Sequence, residues 1–311
     1  MRNFLQTREL DAKRANTYID RDPSFFVELS EYRYIIQLHD LANHVLTAGD
    51  RIKILLVAGP SASSKTTTAH KLRDELAACG LNARIMSIDD FFLGLEHLPI
   101  LPDGSYDMET IDGVDVPLAR KCLRELMEKG RAAFPTFDFI KQRRGDKEHI
   151  IELGNDGILI IEGTHALNPV FIEGLPEEAI FRVYAGVMTG YVLDGEEIFS
   201  PRDIRLARRM VRDQLFRGWS AEKTLAQWSS VCAGEELFID PYKRLADGVI
   251  DSALDYEPAV LHNFLFPMLE EISECSPYAK YVRGFKERYG HFHALSPGLI
   301  PEESILHEFV G

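Results

Sequence analysis

Short, largely apolar runs alternate along this chain with longer stretches whose apolar residues recur every three or four positions. The runs at 52–58, 84–88, 157–161, 180–184 and 248–251 are strand-sized. The periodic stretches at 32–46, 66–79, 117–129, 201–216, 221–232 and 258–272 predict helices. In the first of these, Ile35, Ile36, Leu38, Leu41 and Val45 carry the spacing. Punctuation agrees: Gly80 follows the second helix, while Pro117 opens the third and Gly130 follows it. Short, mainly apolar strands that alternate with helices belong to a parallel sheet covered on both faces. The expected fold is therefore a three-layer α/β/α sandwich with a mostly parallel five-stranded sheet. One segment breaks the rhythm: β-like runs at 134–139 and 149–153 flank a polar KQRRGD turn and predict an antiparallel β-hairpin insertion at about 134–153. Residues 1–50 read as a mainly helical N-terminal extension, 51–272 as the main domain and 273–311 as a packed C-terminal extension.

Composition narrows the function classes. At 311 residues the chain can bury a core without disulfides. Its 35 Lys and Arg against 49 Asp and Glu leave a formal charge of −14, which argues against nucleic acid and anionic membrane as partners. Cys79, Cys122, Cys232 and Cys275 are too widely spaced for a CxxC metal or redox pair, and read as reduced thiols of a cytoplasmic protein. The first residues lack the apolar run of a leader, and no apolar stretch approaches the length of a membrane helix. A homo-oligomer is one option for assembly.

Four segments carry candidate chemistry. Gly59-Pro60-Ser61-Ala62-Ser63-Ser64-Lys65-Thr66, followed by Thr67, nearly fits the phosphate-binding GxxxxGK[ST] loop and lies between a predicted strand and a predicted helix. Backbone N–H groups and the helix N-terminus there can cradle phosphate oxygens, with Lys65 reaching the β/γ-phosphates and Thr66 facing Mg²⁺. Ser64 stands in place of the second Gly of the pattern. Asp89-Asp90 closes the second strand, where side chains reach the crevice of an open α/β sheet, and Asp89 is the preferred proton acceptor. Glu162 ends the apolar run 158–161 and suits assistance to Mg²⁺. Residues 200–219 hold six Arg and two Asp, a net +4 in an acidic chain. Arg205, Arg208, Arg209 and Arg212 share one face of that helix and suit phosphate clamping. His291 and His293 lack a third metal ligand, and His165, Trp219 and Trp228 read as packing residues.

These motifs, in this order and across about residues 51–272, resemble the uridine kinase family of P-loop kinases. SIDDFF at 87–92 is similar to the segment whose Asp is the catalytic base, here Asp89. Gly104-Ser105-Tyr106-Asp107 resembles the segment whose Asp binds ribose hydroxyls, here Asp107, and Pro135 to Phe139 resembles the hairpin that closes over the base. Phe137 stands where nucleoside kinases have an aromatic hydroxyl, and Gln142 where many have His. The arginine stretch resembles the family's helical lid over ATP. The IEGTHALNP segment at 161–169 and the SILHEFVG segment at 304–311 resemble the bacterial uridine-kinase-like branch. The resemblance implies phosphoryl transfer from ATP, with Mg²⁺, to the 5′-hydroxyl of a pyrimidine nucleoside. In that reading Asp89, Lys65, Arg208 and Arg209 are catalytic, residues 59–67 with Arg205 and Arg212 bind ATP, and Asp107, Phe137, Gln142 and Arg205 bind the acceptor. Thr66, Asp89 and Glu162 serve the metal. The alternatives are transfer to another small hydroxyl compound, such as a sugar phosphate, and a nucleotide-binding regulator with little turnover because of Ser64.

Overall fold

The structure, a computed structural model, describes residues 7–100, 104, 106–138, 141–154 and 157–311. Ser105 and Phe139 of the expected acceptor segments lie outside them. The five expected strands form one all-parallel sheet in the order Gly248–Asp251, Ile180–Gly186, Ile54–Ala58, Gly157–Glu162, Asn82–Ser87. The central strand Ile54–Ala58 is buried throughout, and its side chains divide between two cores. Leu55 and Val57 join the core beneath helices Pro23–Ala48, Lys65–Ala78, Pro201–Arg217 and Glu257–Glu270. Ile54, Leu56 and Ala58 join the core beneath helix Val116–Lys129 and the hairpin strands. This is the three-layer arrangement, and it puts the C-terminal ends of all five strands along one edge.

The hairpin is present in a forked form. Arg131–Phe134 pairs antiparallel with His149–Glu152, and beyond it Phe137–Asp138 pairs with Arg143–Arg144. Its outer arm is tied down at both sides. The Phe137 N–H donates to Asp90 Oδ1 at 3.4 Å, and Arg144 Nη2 donates at 2.9 Å to Asp115, which also caps helix Val116–Lys129.

A second sheet was not anticipated. Arg8–Asp11 runs parallel to Thr189–Leu193, which turns back onto Glu196–Phe199 through Asp194 and Gly195, both at positive φ. Two left-handed residues make the two-residue turn whose twist suits a hairpin. Phe199 from this sheet packs against Phe285, Tyr289 and Phe292, the first two from helix Ala279–Tyr289.

Helix Pro23–Ala48 and the segment 305–309 both join the core of the main sheet. Helix Pro23–Ala48 begins nine residues before the expected start, because Asp22 caps it with Pro23 in its first turn. From it the buried Tyr34 hydroxyl meets Thr68 Oγ1 of the phosphate-loop helix at 2.9 Å. At the other end, Ile305, Leu306 and Phe309 are fully buried. The four cysteines are free thiols. Among the described residues, no helix is long and apolar enough to cross a membrane. Tyr34→Phe keeps the packing but removes one partner of a buried hydroxyl pair. It is expected to cost about 1 kcal/mol in urea unfolding, the usual net value of such a bond.

Candidate active site

The phosphate loop leaves the central strand at Gly59 and enters helix Lys65–Ala78 at Ser64. Gly59 is dictated by space, since a Cβ there would stand 2.0 Å from the Ala185 carbonyl oxygen. Ala62 and Ser64 both adopt φ 60. Ser64 thus takes the left-handed conformation that the expected Gly would adopt freely, at a cost of about 1 kcal/mol for a residue with a Cβ. Its hydroxyl makes no capping bond to the helix.

What holds this loop is the arginine helix, Pro201–Arg217, started by a capping box between Ser200 and Asp203. Arg205 Nη1 donates to the Ser61 carbonyl at 3.3 Å, and Arg209 Nη1 to Ser61 Oγ at 2.8 Å. Arg208 Nη1 donates to the Ala62 carbonyl at 3.3 Å and reaches Ser64 Oγ at 3.5 Å. Guanidinium groups therefore satisfy the oxygens of the strained turn from behind. Arg208 and Glu257 are both fully buried and paired at 2.5 Å, and Arg208 Nη2 also donates to the Ser252 carbonyl at 2.7 Å. Burial pushes the Glu257 carboxyl up to about 7, against the pull of Arg208.

This geometry bears on the role of the helix. Arg208, read as catalytic, has no exposed surface, and its guanidinium is committed to the loop, Ser252 and Glu257. The charges of the helix are paired within the protein. Arg202 and Arg205 pair with Glu235, Arg208 with Glu257, Arg209 and Arg217 with Asp213, and Arg212 with Glu308. Ile204 through Val211 is buried without interruption, so the helix is a core element in this structure.

In front of the loop the strand ends bring the expected acids together. Thr66 Oγ1, in the first turn of helix Lys65–Ala78, donates at 3.0 Å to Oε2 of Glu162 at the end of strand Gly157–Glu162. Asp89 lies in the short turn Ile88–Phe91 and keeps an open face to the cleft. Crowding by protein raises its carboxyl above the ordinary range, Lys65 opposes this, and Glu162 and Asp90 add to it. Asp107 folds into a local turn by accepting from the Glu109 N–H at 3.0 Å. Glu109, which the sequence reading did not single out, is raised by burial and opposed by Arg209 and Lys65. Lys65, Asp89, Asp107, Glu109, Glu162 and Arg209 thus act on one another around one cleft. The sequence carried one signal for Glu109, its place two residues after Asp107 in an acidic run.

The other expected residues lie at its margins. Phe137 packs edge-on against Phe92 with ring centres 5.1 Å apart. Gln142 is exposed on the hairpin turn at φ 51. Arg212 reaches Glu308, which accepts from Thr67 in the first turn of the phosphate-loop helix, and the Phe309 ring. The pairing of a hydroxyl with a carboxylate at Thr66 and Glu162 is a hard-oxygen donor set that fits Mg²⁺, which takes few protein ligands and completes its shell with water and phosphate.

A strand–loop–helix phosphate cradle with a lysine, a threonine and a facing pair of strand-end carboxylates defines a P-loop kinase. The sequence matches the family model described as Phosphoribulokinase / Uridine kinase family over residues 54–257, and the chain belongs to that family. It is similar to the uridine kinase of Lactobacillus johnsonii, at 28% identity over 67% of this chain and 90% of the relative. It is likewise similar to the uridine kinase of Borrelia hermsii, at 29% identity over 69% of this chain and 94% of the relative. A solved structure described as a possible uridine kinase from Bacillus stearothermophilus aligns at 20% identity and TM-score 0.46, covering 69% of this chain and 97% of its own.

Two outcomes follow from the site. Arg208→Ala leaves the Glu257 carboxylate buried without its cation and is expected to cost about 3–5 kcal/mol. The joint exchange Arg208→Met with Glu257→Leu should stay within about 2 kcal/mol of the parent in urea unfolding. The second concerns His165, which is buried and packs edge-on against Phe238. Burial, aided by Lys65, pushes its imidazole down to about 4. A lowered pKa means that the neutral form contributes stability above the unfolded pKa of about 6.5, and that this is lost as pH falls toward 4. His165→Gln should therefore remove part of the acid destabilisation between those values, read as a smaller loss of Tm from pH 6.5 to 4.

Proposed function

We propose that this kinase transfers the γ-phosphoryl group of ATP to the 5′-hydroxyl of a pyrimidine nucleoside in the cytoplasm. We further propose that 51–272 is the kinase domain, flanked by extensions at 1–50 and 273–311. The observation that supports the reading is the hydrogen bond of Thr66 to Glu162 beside Asp89, whose carboxyl feels the charges of Lys65 and Glu162; Asp107 is assigned to the acceptor side by resemblance. The uridine kinase relatives support the nucleoside as acceptor. Phe137 offers an aromatic face without a hydroxyl, and Gln142 an amide at the hairpin turn, so base recognition would rest on stacking and amide contacts.

In this mechanism the loop N–H groups and Lys65 bind the β- and γ-phosphates, and Arg205 and Arg209 brace the loop that presents them. Thr66 and Glu162 would hold Mg²⁺, which supplies charge neutralisation for the transferring group. Asp107 holds the vicinal hydroxyls and sets the 5′-oxygen in line with the γ-phosphorus. As the new P–O bond forms and the bond to the β-phosphate oxygen breaks, the hydroxyl proton passes to the Asp89 carboxylate and ADP departs. Enclosure makes Asp89 a stronger base than an ordinary aspartate.

Steady-state assays with a panel of nucleosides and sugar phosphates test the acceptor. Uridine or cytidine should give the highest kcat/KM, and a sugar phosphate in that place would replace the nucleoside reading. Asp89→Asn is expected to lower kcat about 10²-fold or more, and Asp107→Asn to raise the acceptor KM with less effect on kcat. In the parent, the acid limb of kcat/KM should fall at a pH above the ordinary aspartate range. Lys65→Ala should weaken ATP binding in calorimetry. Turnover undiminished in Asp89→Asn would remove that residue from the reaction, and absence of ATP binding in the parent would remove the kinase reading of the loop.

A further inference from the structure

The family match ends at residue 257, yet the last residues of the chain return to the phosphate loop. Segment 304–311 is pinned in place by its packing. Ile305, Leu306 and Phe309 have no exposed surface. The Ser304 and Tyr256 hydroxyls meet at 3.1 Å, and the His307 ring contacts the Pro301 and Gly311 carbonyls at 3.0 and 2.6 Å. This anchoring sets the Glu308 carboxylate at the first turn of the phosphate-loop helix. Thr67 Oγ1 donates to its Oε2 at 2.5 Å, and its Oε1 stands 3.6 Å from Arg212 Nη1.

Arg212 needs that partner. Its Nε is buried with no hydrogen-bond partner among the described residues, and burial holds its pKa below the usual arginine range. Glu308 is the one carboxylate within ion-pair distance of it among those residues. The Phe309 ring lies 4.9 Å from the Arg208 guanidinium and 6.0 Å from that of Arg212, so one short segment touches two arginines and one loop hydroxyl. A lone carboxylate beside a phosphate site would repel the ligand. Paired with Arg212 it adds no net charge, and what remains is its effect on geometry.

We propose that segment 304–311 is a working part of the donor site, with Glu308 a positioning residue that fixes Thr67 and Arg212 for the nucleotide. This rests on the reading that the loop 59–67 takes the phosphates of ATP. Without Glu308, Thr67 is free to rotate and Arg212 loses its anchor, so binding of the donor suffers while the acceptor side is untouched.

The test uses the full chain and the variant Glu308→Gln, which keeps shape and removes charge. Calorimetry with ATP and Mg²⁺ is expected to show a Kd raised about tenfold, within the range for a charge-assisted contact at a buried arginine. The KM for ATP should rise in parallel, with kcat and the acceptor KM changed less than twofold. Should Glu308→Gln fail to fold, Glu308→Asp, one methylene shorter, should raise the Kd about threefold. Unchanged ATP affinity in the folded variant would overturn the proposal, and tighter binding would do so by making Glu308 an obstruction. If the parent itself does not bind ATP, the donor-site reading falls and this inference with it. If the parent binds ATP through Lys65 and the variant matches it, only the present inference falls.

Discussion

The phosphate loop runs through two left-handed residues, Ala62 and Ser64, that both carry side chains. A chain with Gly at the second position would reach this shape at little conformational cost. Here the shape is imposed from outside. Arg205, Arg208 and Arg209 hold the Ser61 and Ala62 carbonyls and the Ser61 and Ser64 hydroxyls. The energy that Ser64 costs is small beside the bonds those guanidinium groups make. The departure from the P-loop pattern and the buried arginine behind it are thus one feature.

Burying three guanidinium groups requires three counter-charges, and the acidic composition supplies them. Glu257 neutralises Arg208 from helix Glu257–Glu270, Glu235 neutralises Arg205 from helix Ala221–Phe238, and Asp213 neutralises Arg209 within the same helix. The acids are spread over elements that pack on one face of the sheet. Loop conformation and core packing on that face therefore depend on each other. Replacing one partner alone strands a charge in the core, whereas replacing both leaves a packing problem.

Much of this could be read beforehand, for reasons that differ by residue. The five core strands were legible because they are short, mainly apolar runs that alternate with helices along most of the chain. The phosphate loop was legible because its chemistry is local in sequence. Spacing correctly placed Arg205, Arg208, Arg209 and Arg212 on one helix face, but not the direction of that face. Whether an arginine is buried depends on an acid such as Glu257, 49 residues away, and no periodicity carries that information. The small sheet of Arg8–Asp11 escaped notice because a four-residue edge strand has little pattern, though Asp194-Gly195 was a usable turn signal. Glu308 was legible only as part of a motif. Its meeting with Thr67 joins positions 241 apart.

The central claim is that the arginine helix compensates for Ser64, and a double-mutant cycle in ATP affinity addresses it directly. The paired exchange Arg208→Met with Glu257→Leu removes the support without leaving a bare charge. In the parent it is expected to weaken ATP–Mg²⁺ binding about tenfold, and in the Ser64→Gly background about twofold, since glycine adopts the loop shape unaided. Equal losses in both backgrounds, with all variants folded, would contradict the account and leave the contacts between Arg208 and the loop without a role in binding.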